Sequence, residues 1–462
     1  MKFYSHAKEL NGEKIGNNFL KRHLFSVLKK AISHNLAIVN FEIPQKKMIE
    51  IIEEITKFHD IGKYTSYFQN YLLGKKTNAE LKKHSRIGAF ALLNKNFDNP
   101  IIASLQYFIV INHHNNLDDI SNIDLMIGEF RPDVINNFEK QIDDLKKNID
   151  QIKNEIFEKN LENYLKIPET KIFRKTIKNL VKQSDVKNYF LINYLFSLLI
   201  EADKLDASET KQYERKKIDD NAVENYLGKV SIDNFPSIEN IYGYEQNKLR
   251  NYVRAAVLEN LNRVDILNHK IFTLTAPTGI GKTLTSLDFA LKLKKKVRQL
   301  ENYEPQIIYG LPFINIIEQS LKVYTNDIFK KQIEEGNINI LAHYQYADIF
   351  GREDEKIENS ENEDYNHKNL ELNTWQSDIV ITSFVQFFET VISNRNKMLL
   401  KFNHFAGAII ILDEVQTLQL EKLPFIGAVL YYLTKFLNTR IILMTATKPK
   451  IFELAEKYIL SE

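Results

Sequence analysis

Residues 271–293, IFTLTAPTGIGKTLTSLDFALKL, constrain the fold more than any other stretch of this chain. An apolar, β-branched run feeds a turn of small residues, and that turn opens into an amphipathic helix. In Ala276-Pro277-Thr278-Gly279-Ile280-Gly281-Lys282-Thr283 the glycines let backbone N–H groups close around an anion. The helix N-terminus aims its positive dipole end at the same point. Thr278, Gly279 and Gly281 would form the cradle, Lys282 would neutralise terminal phosphate oxygens, and Thr283 would offer a hydroxyl to Mg²⁺. Ala276 replaces the glycine with which such a loop usually begins.

A loop of this kind needs parallel strands beside it. Short runs supply them: IFTLTAP, QIIYGLP, INILAHY, DIVITSF, GAIIILDE and RIILMTAT alternate with helical stretches, the pattern of a parallel α/β sheet. One of these, AGAIIILDEVQ, delivers Asp413 and Glu414 at the end of a buried strand. Alone, two acids there are an ordinary strand-to-loop transition. Together with the phosphate loop they predict a site for ATP with Mg²⁺, where Asp413 holds the cation and Glu414 polarises the attacking water.

The first half of the chain is different. Seven of the eleven histidines fall within the first 114 residues, and FLKRHLFSVLKKAI, MIEIIEEITKFHD, HSRIGAFALL, ASLQYFIVINHH and YFLINYLFSLLIEAD carry apolar residues at helical spacing. An all-α domain is predicted over 1–215, a polar linker containing Pro236 over 216–243, and the α/β lobe over 244–462. The Asn136–Lys171 stretch reads as a solvated helical insertion, and the acidic run at 352–366 as an exposed loop. Basic and acidic side chains number 62 and 60, so bulk charge argues for no partner. Without cysteine there are no disulfides, thiol nucleophiles or zinc ribbons, and the strong ligands left are imidazoles and carboxylates. No signal peptide opens the chain and its most apolar stretch, Tyr189 to Ile200, is too short for a bilayer, so a cytoplasmic protein without membrane contact is expected.

The histidines suggest a metal centre. His59 and Asp60 adjoin at the end of an apolar helix, with Lys63 just beyond; His23, His84, the pair His113 and His114, and Asp203 stand on other helix faces or ends. His23, between Leu20 and Val27, reads on its own as a hydrogen-bonded core histidine, and His84 as a helix-start residue. The histidine doublet and Asp203, placed after the most apolar helix, each need a polar partner that a cation would supply. A carboxylate bridging two cations would hold them about 3.5–4 Å apart for in-line attack on a phosphate. Such ligands suit Fe²⁺, Mn²⁺, Co²⁺, Ni²⁺ or Zn²⁺.

Taken in order, APTGIGKT, YGLPFINIIEQS, ITSFVQFFET, DEVQ and MTATKP resemble the motifs of superfamily 2 helicases, with a RecA-like lobe. HDIGKYTSYFQNYL, HSRIGA, INHH and ADKLDA resemble the HD phosphohydrolases. Together they are similar to the CRISPR-associated HD nuclease-helicases of type I systems. The resemblance implies an all-α HD domain followed by a parallel α/β lobe. It implies that His23, His59, Asp60 and Asp203 hold one divalent transition metal and Asp60, His84, His113 and His114 a second. Lys63 would lie near the scissile phosphate, and His59 and Asp60 would take part in catalysis. It further implies single-stranded DNA as substrate and recruitment by a guide-RNA surveillance complex.

In the helicase-like half, Leu311, Pro312, Phe313, Thr382, Ser383, Phe384 and Gln386 would line the nucleic-acid path, and Thr445 to Thr447 would couple it to ATP. Gln246, in YGYEQNKLRN, is either an adenine-reading side chain or an ordinary surface glutamine, and His6 is structural or peripheral. The family continues past the TAT motif into a second lobe bearing an arginine finger, whereas this sequence runs 15 residues past Thr447. Weak ATP turnover and no unwinding are therefore expected of it alone, with a separate second lobe as a partner. Two other functions remain open from sequence, a nucleotide phosphohydrolase and a non-catalytic nucleic-acid-binding platform.

Overall fold

The computed structural model describes residues 2–34, 36–117, 128–182, 185–233, 241–344, 370–447 and 450–460. It divides into two compact units. Met1–Ala37, Phe41–Gln212 and Ser393–Asn403 form the first; Ile38–Asn40, Tyr213–Ile392 and His404–Glu462 form the second.

The first unit opens with a β-hairpin, β1 (Tyr4–Leu10) antiparallel to β2 (Glu13–Phe19), so the expectation of an all-α domain needs correcting at its N-terminus. Its cause is the Asn11-Gly12 turn, with φ of 53° and 80°, a left-handed pair that matches the twist of a two-residue hairpin. Helices follow at Leu20–Ile32, Gln45–Phe58, Ser85–Lys95 and Pro100–Ile111, and later Val186–Ala207. The last is buried almost continuously from Phe190 to Asp203 and packs on Leu20–Ile32, Gln45–Phe58 and Pro100–Ile111. Among the described residues no helix is long and apolar enough to cross a membrane. The stretch read as a solvated helical pair or insertion does form helices, Pro132–Lys146 and Ile149–Ile156, but they are not wholly solvated, burying Val134, Phe138, Ile142, Leu145 and Ile152.

Gly88 is needed where it is. A Cβ there would lie 1.9 Å from the Phe58 carbonyl oxygen, so only glycine lets Ser85–Lys95 cross the end of Gln45–Phe58 this closely.

In the second unit the described residues build a six-stranded parallel sheet in the order β3-β8-β7-β4-β6-β5. The strands are β3 (Ile271–Thr275), β4 (Ile307–Leu311), β5 (Ile340–His343), β6 (Ile379–Ser383), β7 (Ile409–Leu412) and β8 (Arg440–Thr445). They are the six runs read from sequence. Every residue of β4, β6, β7 and β8 is buried, which is why these strands are mostly apolar, with polar residues only at their ends, rather than alternating. The carboxyl ends of β3, β4, β7 and β8 open on one edge, the usual ligand crevice of such sheets.

The linker at 216–243 also needs correction. Helix Ala222–Asp233 occupies part of it, and Ile218, Ala222 and Val223 join the core of the second unit. Their helical spacing was hidden by polar neighbours. Pro236 and the acidic run at 352–366 lie outside the described residues.

Candidate metal centre and nucleotide site

Five helix faces or ends converge inside the first unit. His23 comes from the buried face of Leu20–Ile32, His59 caps the C-terminus of Gln45–Phe58, and Asp60 follows it into the turn Ile61–Tyr64, which carries Lys63. His84 precedes Ser85–Lys95, His113 and His114 follow Pro100–Ile111, and Asp203 lies on Val186–Ala207.

Asp60 is the hub. Its Oδ2 lies 3.2 Å from His23 Nε2 and 3.5 Å from His59 Nε2, while its Oδ1 lies 3.1 Å from His84 Nε2 and 3.5 Å from His113 Nε2. Asp203 Oδ1 is 3.3 Å from His23 Nε2, and His84 Nε2 is 2.9 Å from His114 Nε2. Two sets result, His23, His59, Asp60, Asp203 and Asp60, His84, His113, His114, each with ligand atoms within 4.8 Å of one another. Lys63 Nζ sits 2.6 Å from Asp60 Oδ2, so this lysine is inside the centre and not merely near it.

The outer nitrogens explain the orientation of the inner ones. His59 Nδ1 faces the Thr56 carbonyl at 2.8 Å, His113 Nδ1 that of Val110 at 2.7 Å, and His23 Nδ1 the Asp206 carboxylate at 2.7 Å. Each acceptor holds the proton on Nδ1 and turns a bare Nε2 inward, the arrangement of metal-ligating histidines. Nε2 of His23, His59 and His113 and Oδ1 of Asp60 are buried without a hydrogen-bond partner, while Asp60 Oδ2 has the Lys63 ammonium beside it. So many buried orphan acceptors in one place would be costly unless cations filled them. The donor set, five imidazoles and two carboxylates, fits two borderline divalent metals.

Electrostatics agree with that fit. Burial disfavours the Asp60 carboxylate, but Lys63, His59 and the nearby His113 and His23 rings outweigh it and hold the group well below the usual carboxylate range. Burial, opposed by Asp60, brings His84 down to about 4, and burial with His113 and His84 brings His114 to about 2, so both stay neutral as ligands must. Burial alone would depress His23, yet the Asp203, Asp206 and Asp60 carboxylates around it raise it to about 10.

His6, read from sequence as structural or peripheral, has its ring 5.1 Å from that of His23, at the edge of the centre.

In the second unit the loop after β3 makes its turn through Gly279 and Gly281, both at φ +81°, before Lys282 begins helix Lys282–Glu301. Lys282 Nζ is buried without a hydrogen-bond partner, 3.8 Å from Glu414 Oε1. Thr278 is exposed and Thr283 half-buried beside the loop. Asp413 Oδ2 accepts from Tyr309 Oη at 2.9 Å and its Oδ1 from the Glu414 amide at 2.8 Å. Burial, with the Glu414 charge, pushes the Asp413 carboxyl up. Gln416 donates to Glu414 and accepts from Thr445 Oγ1 at 2.7 Å, which links the acidic pair to the end of β8. Gln246 is exposed, and its Nε2 lies 3.7 Å from where a Gly279 Cβ would be; Arg250 donates to the Gly279 carbonyl at 2.8 Å.

Residues 255–454 match the DEAD/DEAH box helicase family. A stretch of 182 residues is 29% identical to the CRISPR-associated nuclease/helicase Cas3 of Haloferax volcanii, covering 39% of this chain and 19% of that protein. Crystal structures of T. fusca Cas3 with ADP and with ATP superpose over 99% of this chain at TM-scores of 0.54 and 0.51, with 14% and 13% identity. Residues 255–454 are thus similar to DEAD/DEAH box helicases, and the chain shares its fold with Cas3. The chain spans about half of the T. fusca chains, 51% in each case, and a smaller part of the curated relative.

Within this helicase domain, not every residue assigned to a nucleic-acid path can touch one. Leu311 and Thr382 are fully buried in β4 and β6, the Thr382 hydroxyl donating to the His343 carbonyl of β5, whereas Phe313 is 56% exposed. Several contributors went unrecognised in the sequence. Asp206 lies one turn past Asp203 on the same helix face, a spacing that could have revealed it. Tyr309, Gln416 and Arg250 carried no local signal.

Proposed function

We propose that the first unit is a two-cation nuclease centre cleaving single-stranded DNA, joined to an ATP-dependent helicase domain, as in type I CRISPR interference. The observation that carries this reading is the pair of ligand sets sharing Asp60, with four buried acceptor atoms lacking partners. His23, His59, Asp60 and Asp203 would hold one cation and Asp60, His84, His113 and His114 the other. When bound, such cations supply Lewis acidity, an activated water and charge stabilisation for a leaving oxygen.

This chain's own groups do the rest. Asp60 fixes the distance between the two sets, and the Nδ1 contacts of His23, His59 and His113 turn their Nε2 atoms inward. Lys63 contributes a buried positive charge that a phosphodiester would draw away from Asp60. In the helicase domain Thr278, Gly279, Gly281, Lys282 and Thr283 would bind the phosphates of ATP, Asp413 its Mg²⁺, Glu414 would orient water, and Gln246 would reach the adenine. The relative named as a CRISPR-associated nuclease/helicase supports the pairing of the two activities; delivery by a guide-RNA surveillance complex is what the sequence resemblance adds.

The test is metal-stripped protein resupplied with Mn²⁺, Co²⁺, Ni²⁺, Fe²⁺ or Zn²⁺ and offered single-stranded DNA beside a panel of dNTPs. DNA cleavage by wild type, lost in Asp60→Ala while a fluorescent ATP analogue still binds, is the expected result. Hydrolysis of dNTPs without DNA cleavage would replace the nuclease with a nucleotide phosphohydrolase.

A further inference from the structure

Residues 393–403 lie inside the stretch matched to the helicase family, yet they belong to the first compact unit. They follow helix Phe384–Ile392 and are held there by specific polar contacts. Asn403 donates from its backbone and side chain to Ser197 Oγ at 2.9 and 3.1 Å and from its side chain to Glu201 Oε2 at 2.5 Å. Both acceptors are on Val186–Ala207, the helix that carries Asp203.

The other end of the segment reaches the histidine doublet. Leu117 N donates to the Asn394 carbonyl at 2.9 Å, and Asn394 Nδ2 returns a bond to the Leu117 carbonyl at 2.9 Å. Asn396 does more. Its Nδ2 donates to the carbonyls of His113 at 3.0 Å and Asn115 at 3.1 Å, its backbone N–H to Asn116 Oδ1 at 2.9 Å, and its Oδ1 accepts from Lys204 Nζ at 3.1 Å. Carbonyls just past a helix end have no partner within the helix, so an outside donor decides where that turn sits.

We propose that Asn396 is a positioning residue for the second cation set: its carboxamide ties the His113–His114 turn to the helix bearing Asp203. The proposal rests on the two-cation reading above. Lys204 is the chain neighbour of the first-set ligand Asp203, and His113 is a ligand of the second set, so one side chain joins a residue beside the first set to a residue of the second. Because His113 and His114 are adjacent, a small shift of their backbone moves two of the four ligands of the second set together. The first set draws only on His23, His59, Asp60 and Asp203, none of which Asn396 touches. A residue from the helicase stretch of sequence thus sets the ligand geometry of the cation centre.

The experiment is Co²⁺ titration of the metal-stripped full chain, followed by equilibrium dialysis and visible absorption. Wild type should take up two equivalents. Asn396→Ala should keep one site within about twofold and weaken the other about tenfold or more, the usual cost of removing an outer partner of a metal ligand, with a changed d–d band for that site alone. Asn396→Asp, equal in shape but without the two donors, should do the same and serves if the alanine variant fails to fold. Two-site binding and spectra unchanged in both variants would overturn the proposal. So would equal weakening of both sites with a lowered melting temperature, which would mark Asn396 as structural. Wild type that takes up no Co²⁺ would overturn the two-cation reading itself, and this proposal with it.

Discussion

His23 Nδ1 lies 2.7 Å from Asp206 Oδ2, and that carboxylate is held in turn by Lys30 Nζ at 2.9 Å. His59 and His113 rest on backbone carbonyls, which cannot be mutated away, whereas His23 is oriented by a side chain. Replacing Asp206 with Ala should free the imidazole to rotate and raise the dissociation constant of one cation by roughly 10- to 100-fold. Asp206→Asn, which still accepts from Nδ1–H, should lose less. Isothermal titration with Mn²⁺ measures both, and unaltered binding in the alanine variant would remove Asp206 from the centre.

Gly88 should be among the least replaceable residues of the first unit. A methyl group there meets the Phe58 carbonyl oxygen, a backbone atom one residue before His59, and cannot be accommodated by a side-chain rotation. Gly88→Ala must push Ser85–Lys95 away from Gln45–Phe58, at a cost of roughly 2–4 kcal/mol. Urea denaturation followed by circular dichroism reads the loss. A midpoint equal to wild type would show that the helices can separate freely.

What the sequence made legible was what is written locally. The phosphate loop and six strands are each contained in a few residues, because a strand buried on both faces must be mostly apolar and a phosphate cradle must follow it directly. The His59-Asp60 and His113-His114 doublets stood out for the same reason. The hairpin did not, although Asn11-Gly12 is its signal, since only a few residues flank the turn on either side. Ile218, Ala222 and Val223 were averaged into a polar linker. Asn396 lies 280 residues from Asn116, whose side-chain oxygen accepts from its backbone N–H, and only the fold joins them.

Tyr309 should matter more to the nucleotide site than its place in an apolar strand suggests. Its hydroxyl, buried beside Tyr324, donates to Asp413 Oδ2 at 2.9 Å. Tyr309→Phe leaves a buried carboxylate oxygen without that donor, a loss of about 1–3 kcal/mol in stability. The affinity for Mg²⁺-ATP, read with a fluorescent analogue, should change several-fold because Asp413 is no longer steered. Identical affinity with reduced stability would assign Tyr309 to packing alone.

The last expectation concerns pH. Asp288, on the helix that begins at Lys282, is fully buried, neither of its oxygens has a hydrogen-bond partner, and Arg254 Nη1 stays 3.5 Å away. Burial pushes its carboxyl from 3.8 up to about 6, against the pull of Arg254 and Lys292. A group whose folded value is raised favours folding fully only below its unfolded value, and that contribution is lost as pH rises through the folded one. Below about pH 4 the neutral acid is therefore well tolerated; above about pH 6 the folded protein must hold a desolvated carboxylate, a penalty on the order of 2–3 kcal/mol. Asp288→Asn keeps the shape without the charge. It should raise the melting temperature at pH 7.5 by a few degrees, less at pH 5, and not at all near pH 4. A gain independent of pH would show that shape, and not ionisation, limits this position, and a loss at pH 7.5 would mean that the Arg254 pairing outweighs the desolvation.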